Sequence, residues 1–269
     1  MVLLLLPTVA LAATPAQLDA ALLACALQPV HALPALSVDR KRSLLAGEVV
    51  RILQRSKEDG APSAAVGIAV LKASRDALWI AAQDPHIVVD DSLTEQRVEN
   101  LGPDRNIWYG YYDLPRPFRD RQWVVDSRNN HTLAQVSEGA CWEHPWSLVP
   151  DGLSRMRRWV SEHPDGSITD AHLDHALFAP VAHGSWFMAP VAPGEVLVAY
   201  QAWSVVGGSV PDWVVLQIAM SRVEKLLVSV QTRAQEWSPA HYTTAHAPVH
   251  GGDGAPIAPL SGPELPTQP

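Results

Sequence analysis

Between residues 38 and 82, short segments of alternating and continuous apolar residues predict a helix, two strands and a second helix. Residues 38–46 are a charged segment typical of a short helix, and residues 48–53 alternate in polarity as a half-buried strand does. Residues 64–72 form an apolar, β-branched run that predicts a buried strand. Ser74 is in position to cap a helix that continues through Ala82.

The middle of the chain predicts an antiparallel meander of strands. Apolar runs are separated by residues that tolerate tight turns, such as Gly102-Pro103-Asp104. The predicted strands lie at 93–101, 107–113, 121–127 and 132–137. Residues 141–179 mix Trp with Pro, and we interpret them as an insertion with one helix near 153–160. Two further strands follow, at 186–188 and 196–205.

A long helix is predicted from Pro211 to Trp237. Ser209 is a candidate N-cap, and Pro211 stands in the first turn. One apolar stripe runs along the predicted helix at spacings of three and four residues, while Arg222 and Lys225 fall off it. The members of the stripe are Val215, Ala219, Val223, Leu226, Val230, Ala234 and Trp237. After Ser238 the chain is rich in Pro, Gly and His, and we expect it to be disordered and to bury little.

The first residues predict export. Residues 2–12 are a short apolar run ending in Ala10-Leu11-Ala12, a small-x-small pattern that predicts signal-peptide cleavage before Ala13, although no basic residue precedes it. The run is too short to span a bilayer. A lipoprotein signal ending at Cys25 is the weaker interpretation, because Asp19 would lie in its apolar stretch. We therefore expect an exported protein, periplasmic or secreted.

Composition narrows the classes of function. The 269 residues are 47% hydrophobic and 18% charged, as in a folded single domain, and the net charge of -8 disfavours a nucleic-acid partner. Ten Trp against three Phe suit a roomy aromatic interior. Cys25 and Cys141 are the two cysteines, and both a disulfide and two buried thiols remain open. The sequence contains no P-loop, dinucleotide fingerprint or nucleophile-elbow motif.

Two stretches resemble the START family of the helix-grip (SRPBCC, pollen-allergen-like) superfamily. The first runs from Tyr111 to Val124 and is similar to a strand followed by D-x-P-x-P and D-R-D-[FW]-V, with Gln122 in place of an acid. The second comprises Gly184-Ser185-Trp186, Tyr200 and the segment from Gly207 to Trp213, which is similar to G-G-x-[IV]-P-x-W. The resemblance covers residues 48–236 apart from the interpreted insertion.

The resemblance implies an α+β helix-grip fold, in which a curved antiparallel sheet wraps around a long C-terminal helix and leaves an internal hydrophobic cavity. Four parts are then expected: a signal peptide (1–12), a leader segment (13–37), a START-like lipid-binding domain (38–237, insertion about 141–179) and a disordered tail (238–269). The implied partner is a hydrophobic small molecule of the lipid, sterol or isoprenoid class. We expect a monomer that makes at most transient membrane contact and needs no cofactor.

The predicted ligand-binding residues are mostly aromatic side chains on sheet strands or at the start of the last helix. Plain core packing is the alternative for each of them. Arg121 matches the family's strand arginine, so it is expected either to anchor a ligand head group or to join an ion pair with Asp113 or Asp120. The full set is Trp108, Tyr112, Arg121, Trp123, Trp186, Tyr200, Trp213 and Met220.

An enzyme on the same fold is the second hypothesis, a polyketide cyclase, aromatase or hydrolase-like protein. Tyr109, Tyr112 or Arg121 would then supply acid–base chemistry, yet no catalytic spacing demands it. A partner-binding module with a filled interior is the third hypothesis. We predict no metal site, because the spacing of His163, His172, His175 and His183 matches no known ligand pattern.

Overall fold

The computed structural model describes residues 12–55, 62–83, 92–116, 118–205, 212–236, 249–258 and 260; in the last helix, side chains are described from residue 217 onward. Within these ranges the strands are β1 (Val50–Gln54), β2 (Ala64–Lys72), β3 (Leu93–Asn100), β4 (Arg105–Tyr112), β5 (Arg121–Arg128), β6 (Trp142–Leu148), β7 (Leu177–Phe178), β8 (Val181–Ala192) and β9 (Glu195–Val205). The helices are α1 (Pro15–Cys25), α2 (Val38–Leu45), α3 (Arg75–Ala82), α4 (His131–Val136), α5 (Gly152–Glu162), α6 (Asp170–His175) and α7 (Asp212–Glu236).

The strands form one mixed sheet that is almost entirely antiparallel. Its order is β1-β2-β9-β8-β6-β5-β4-β3, with the two-residue β7 added in parallel to β5. Gly194 has a φ of +75° in the tight connection from β8 to β9, a conformation that costs glycine little. The predicted α+β class, the meander of β3, β4 and β5 and the long C-terminal helix are confirmed.

Residues along each strand alternate between two differently covered faces, as the pleat requires. The inner face carries Trp186 and Met188, which pack in one hydrophobic cluster with α3 and α7. The outer face carries Phe187 and Ala189, which pack with α1 and α2. Nearer the opposite edge of the sheet, the outer face of β4 and β5 is covered by α5 and α6.

The segment at 13–37 is part of this domain and not a separate leader. In α1, Leu18 is fully buried in the outer-face cluster, and Cys25 forms a disulfide with Cys141, with 5.2 Å between the Cα atoms. The fully buried carboxylate of Glu143 accepts hydrogen bonds from the N–H of Val30 at 2.8 Å and from Ser185 Oγ at 2.7 Å. Covalent and polar contacts therefore fix the N-terminal segment across the outer face.

Two predicted elements are wrong. Residues 132–137 were expected to form a strand but lie in and just after α4, where Asn130 caps the helix by accepting a hydrogen bond from the N–H of Leu133. The predicted insertion at 141–179 begins too early, because residues 142–148 are β6 in the middle of the sheet. Pro145 lies inside β6 opposite Ser185, and proline in a central strand is rare enough to conceal the pattern.

The expectation that the tail buries little is wrong for residues 249–258. Gly251 and Gly252 lie directly against the ring of Trp142, so close that a Cβ on either would be less than 3 Å from it. Trp79 Nε1 donates a hydrogen bond to the carbonyl of His250 at 2.9 Å. Glycines carry no hydrophobic signal, so a pattern of apolar residues could not reveal that this segment covers a tryptophan.

None of the helices in the described ranges combines the length and the apolar character required to cross a membrane. The longest, α7, lies instead on the inner face of the sheet, where it packs against β1, β2, β9 and α3. Gly67 of β2 permits this approach, because a Cβ at that position would stand 1.9 Å from Val223 Cγ1. The absence of a side chain at Gly67 therefore sets the distance between helix and sheet.

Replacing Gly67 by alanine should lower the free energy of unfolding by about 1–3 kcal/mol, the usual cost of overpacking a filled core. The variant Val223→Ala removes the clashing methyl groups, so the double variant should lose less than the sum of the two single losses, by at least about 0.5 kcal/mol. Urea denaturation of the four proteins measures this coupling. Strict additivity would contradict the close approach of α7 to Gly67.

Candidate ligand-binding cavity

A cavity of about 300 Å³ lies between the inner face of the sheet and α7. The register of the strands explains its lining, because residues paired directly across an antiparallel ladder point to the same face. His144 is paired with Trp186, and Trp186 with Tyr200; farther along, Ser127 is paired with Trp146. Residues of β3, β4, β5, β6, β8 and β9 thus border one space.

The position of α7 explains why space is left. The helix packs over β1, β2 and β9, and the inner faces of β4, β5 and β6 carry large aromatic side chains that border the cavity instead. Trp108, Trp123 and Trp146 are half-buried, because part of each ring faces that space. From the helix, Ala219 and Val223 supply the facing wall.

Six of the eight predicted ligand-binding residues border the cavity: Trp108, Tyr112, Arg121, Trp123, Trp186 and Tyr200. The side chain of Trp213 lies outside the described residues. Met220 lies on α7 and packs against the inner-face hydrophobic cluster, and it is not among the described cavity-lining residues. Contact of any of the eight with a ligand stays a prediction.

Two glycines hold indole rings flat against the cavity wall. A Cβ at Gly110 would stand 2.2 Å from the ring of Trp123, its neighbour across the β4–β5 ladder. Gly184 has the same relation to Trp146, with 1.7 Å to the ring. Larger side chains at either position would push the indole into the cavity, so these glycines help to set its volume.

Arg121 is 2% exposed and borders the cavity. Its Nη1 donates to the carbonyls of Arg119 and Asp120. Burial lowers the pKa of its guanidinium, although arginine remains charged at neutral pH. The carboxylate of Asp120 accepts hydrogen bonds from the Tyr111 hydroxyl and from the N–H of Leu114 at 3.0 Å.

Gln122, which replaces an acid of the family pattern, has a structural explanation. It points to the outer face and is 1% exposed; its Nε2 donates to the carbonyls of Leu173 at 2.8 Å and Ala176 at 3.1 Å. Its Oε1 accepts from the hydroxyl of Tyr109 at 3.2 Å. A carboxylate cannot donate to two carbonyls, so the amide ties α6 and its C-terminal end to β5.

A charged pair inside the cavity was missed from the sequence. Glu95 of β3 and Arg222 of α7 both line the cavity, and Arg222 lies over the ring of Tyr112, 3.8 Å from its centroid, while donating to Ser92 Oγ at 3.0 Å. The Glu95 side chain has exposed surface and borders the cavity. Desolvation raises the pKa of Glu95, and the positive charge of Arg222 opposes that rise.

The sequence held a weak signal for Arg222. It was placed off the apolar stripe, yet it lies three residues after Ala219 and four before Leu226, both of which line the cavity. Glu95 had no such signal, because β3 has no apolar face that would mark one of its sides as buried. Only the ladder, which pairs Glu95 with Gly110, shows that it points inward.

The histidines that the sequence analysis rejected as metal ligands have other contacts. His163 stacks on Trp159, His172 Nδ1 contacts Thr169 Oγ1 at 2.8 Å, and His183 stacks on Trp203. Among the described residues, no group of three or more His, Cys, Asp or Glu side chains could hold a metal ion.

Solved structures with the same fold align with most of this chain. Human STARD10 aligns with 76% of this chain and 82% of its own, with a TM-score of 0.50 and 14% sequence identity. The chain has the START-domain fold. The STAR-related lipid transfer protein of Xanthomonas axonopodis aligns with 69% of this chain and 99% of its own (TM-score 0.49, 18% identity).

The ZhuI aromatase/cyclase from Streptomyces sp. R1128 aligns with 64% of this chain and 96% of its own, with a TM-score of 0.40 and 8% identity. No protein-family model matches the chain, and no curated protein matches its sequence significantly. At these identities the START-fold likeness concerns architecture, and the function has to be argued from the cavity itself.

The variant Arg222→Met should be less stable than the wild type by an amount that grows as the pH rises from about 4 to 7. Without the arginine the pKa of Glu95 rises further, so ionising Glu95 costs the folded state more. An acid with a raised pKa does not destabilise the fold below its unfolded-state pKa and destabilises it increasingly above that value.

Thermal unfolding across this pH range measures the effect. The double variant Glu95→Gln/Arg222→Met is the control, and its stability loss should be nearly independent of pH. An equal loss for Arg222→Met at both ends of the range would show that the two groups are not coupled.

Proposed function

We propose that the protein binds one hydrophobic small molecule of lipid size in the cavity between the sheet and α7. The proposal rests on the side chains that line the cavity, among which are indoles, phenols, alanines and leucines. They surround a space of about 300 Å³, which lies at the lower end of the usual range for small-molecule pockets. Burying apolar ligand surface against such walls yields roughly 25 cal/mol per Å².

Charged groups give the cavity a polar region. Arg121 comes from β5 and Arg222 from α7, and each has part of its hydrogen-bonding capacity directed to the protein. The presence of both arginines and of Glu95 in the cavity wall supports binding of an amphipathic molecule that carries a polar group. Lipid, sterol and isoprenoid molecules all belong to that class.

We propose further that the ligand is carried and not chemically changed. The surroundings of two tyrosines support this: Tyr109, which was considered for catalysis from the sequence, and Tyr200, which was not. Tyr109 points to the outer face and donates its hydroxyl to Gln122, and burial raises its pKa. Tyr200 lines the cavity, but burial and the nearby Glu95 raise its pKa as well. A phenol with a raised pKa is a poor general base at neutral pH.

The variant Ala202→Phe tests the binding function. Ala202 lines the cavity from β9, so a phenyl group there occupies ligand space. We expect at least about a tenfold loss of affinity for a fluorescent cholesterol analogue, since a blocked site costs more than about 1.4 kcal/mol. Fluorescence titration, with circular dichroism to verify folding, measures the change.

The matched control is Ala20→Phe, which adds the same group to an exposed position on α1. It should bind the analogue as the wild type does. Equal binding by the wild type and a folded Ala202→Phe variant would place the ligand outside the cavity and contradict the proposal.

We also propose that the protein is exported and begins at Ala13 after processing. Two observations support this. The Cys25–Cys141 disulfide is of the kind that persists in oxidising compartments. The backbone nitrogen of Ala13 also lies 2.8 Å from Glu195 Oε2, so cleavage before Ala13 would place the new ammonium group directly on that carboxylate. A disulfide at Cys25 is incompatible with lipidation of the same sulfur.

N-terminal sequencing of protein recovered from the periplasm or the medium should give Ala13 as the first residue. Non-reducing mass measurement should show the Cys25–Cys141 bond, two mass units below the dithiol form (about 2 Da, one hydrogen from each thiol). Intact Met1 on protein confined to the cytoplasm would contradict the proposal of export.

A further inference from the structure

The orientation of one buried amide is fixed by its surroundings. Asn129 is 6% exposed, and its Nδ2 lies 3.2 Å from the carbonyl oxygen of His250 and 3.0 Å from that of Gly251. Carbonyl oxygens only accept hydrogen bonds, so the nitrogen of the amide must face them. The oxygen Oδ1 of Asn129 therefore points the other way and is available only as an acceptor.

The fixed amide selects one tautomer of His144. Oδ1 of Asn129 lies 2.7 Å from Nδ1 of His144, and this contact is a hydrogen bond only if Nδ1 carries the proton. Burial lowers the pKa of His144 to about 4, so the ring is neutral at physiological pH. In a neutral imidazole with Nδ1 protonated, Nε2 has a lone pair and no hydrogen.

His144 borders the ligand space. It lies on the inner face of β6, paired with Trp186, and borders the cavity while being only 6% exposed. The edge of the ring is held by Trp79, whose centroid is 5.8 Å away at an interplanar angle of 81°. Among the described residues, none donates a hydrogen bond to Nε2, so this nitrogen is an open acceptor on a residue of the cavity wall.

We propose that His144 is a specificity determinant that selects a ligand bearing a neutral hydroxyl group, whose O–H donates to Nε2. This inference rests on the proposed binding function and names the ligand class: an apolar alcohol, linear or polycyclic. An ether or a hydrocarbon of the same shape leaves Nε2 without a partner in a buried site. A carboxylate offers only acceptor oxygens and would face the lone pair unfavourably.

Matched pairs of probes test the proposal: 1-dodecanol with methyl undecyl ether, and cholesterol with its 3-methyl ether. Each ether keeps the apolar body and the oxygen but has lost the donor. The wild type should bind the alcohol of a pair about tenfold more tightly, the fold-change of one well-formed hydrogen bond. Competition with a fluorescent lipid measures both affinities.

In the variant His144→Phe the preference for the alcohol should disappear while the affinity for the ether changes little. The control Ser127→Ala alters another cavity-lining hydroxyl, which donates to the carbonyl of Asn106, and should keep the full preference. Asn129→Leu removes the contact that selects the tautomer, so it should weaken the preference without removing the acceptor.

Nitrogen-15 NMR of the wild type supplies a readout that does not depend on any variant folding. The Nε2 signal of His144 should have the shift of an unprotonated nitrogen and should move toward the ordinary hydrogen-bonded value on addition of the alcohol. Equal affinity for alcohol and ether would overturn the role of His144 and leave cavity binding intact. Failure of all four probes to bind would count against both proposals.

Discussion

The packing of α7 on one side of the inner face is the constraint on which the rest of the structure depends. A single helix is too narrow to cover a sheet of eight ordered strands, so part of the inner face must be closed in another way. Gly67 allows α7 to approach β2 closely, and the helix then also contacts β1 and β9. The inner faces of β4, β5 and β6 are left to border a cavity lined by indole rings.

The outer face is constrained in a different way, by covalent and polar contacts as well as by packing. The disulfide joins α1 to the start of β6, and the buried carboxylate of Glu143 on β6 binds the N–H of Val30. Two residues of one strand, Glu143 and His144, thus serve opposite faces: the first holds the N-terminal segment and the second points to the ligand space. A shift of β6 by one residue would exchange these roles.

Much of the fold could be predicted from local patterns. The apolar run of β2, the Ser74 cap of α3 and the stripe on α7 from Ala219 to Ala234 each follow a local rule, and each was found. The side chain of Val215 and the residue Trp237 lie outside the described part of the chain. Prediction failed where long-range contacts decide the conformation. Pro145 concealed β6, and residues 249–258 pack through glycines on Trp142.

The residues of the candidate site likewise fall into those that local patterns predicted and those that depend on long-range contacts. Aromatic residues on the predicted strands and the match to the family's strand arginine were enough to propose Trp108, Tyr112, Trp123 and Arg121, and all four line the cavity. The polar groups Glu95, His144 and Arg222 could not be found in this way. Their direction is set by ladder pairing across several strands and, for His144, by Asn129 and the carbonyls of residues 250 and 251.

The central claim is that the space between α7 and the inner face holds one apolar molecule. Native mass spectrometry of the protein purified from its own host, without detergent, measures this most directly. The account predicts a population of chains carrying a single adduct with the mass of one lipid-sized molecule, recovered chemically unchanged in an organic extract. Chains with no adduct under these conditions, and none after incubation with host lipid extract, would contradict it.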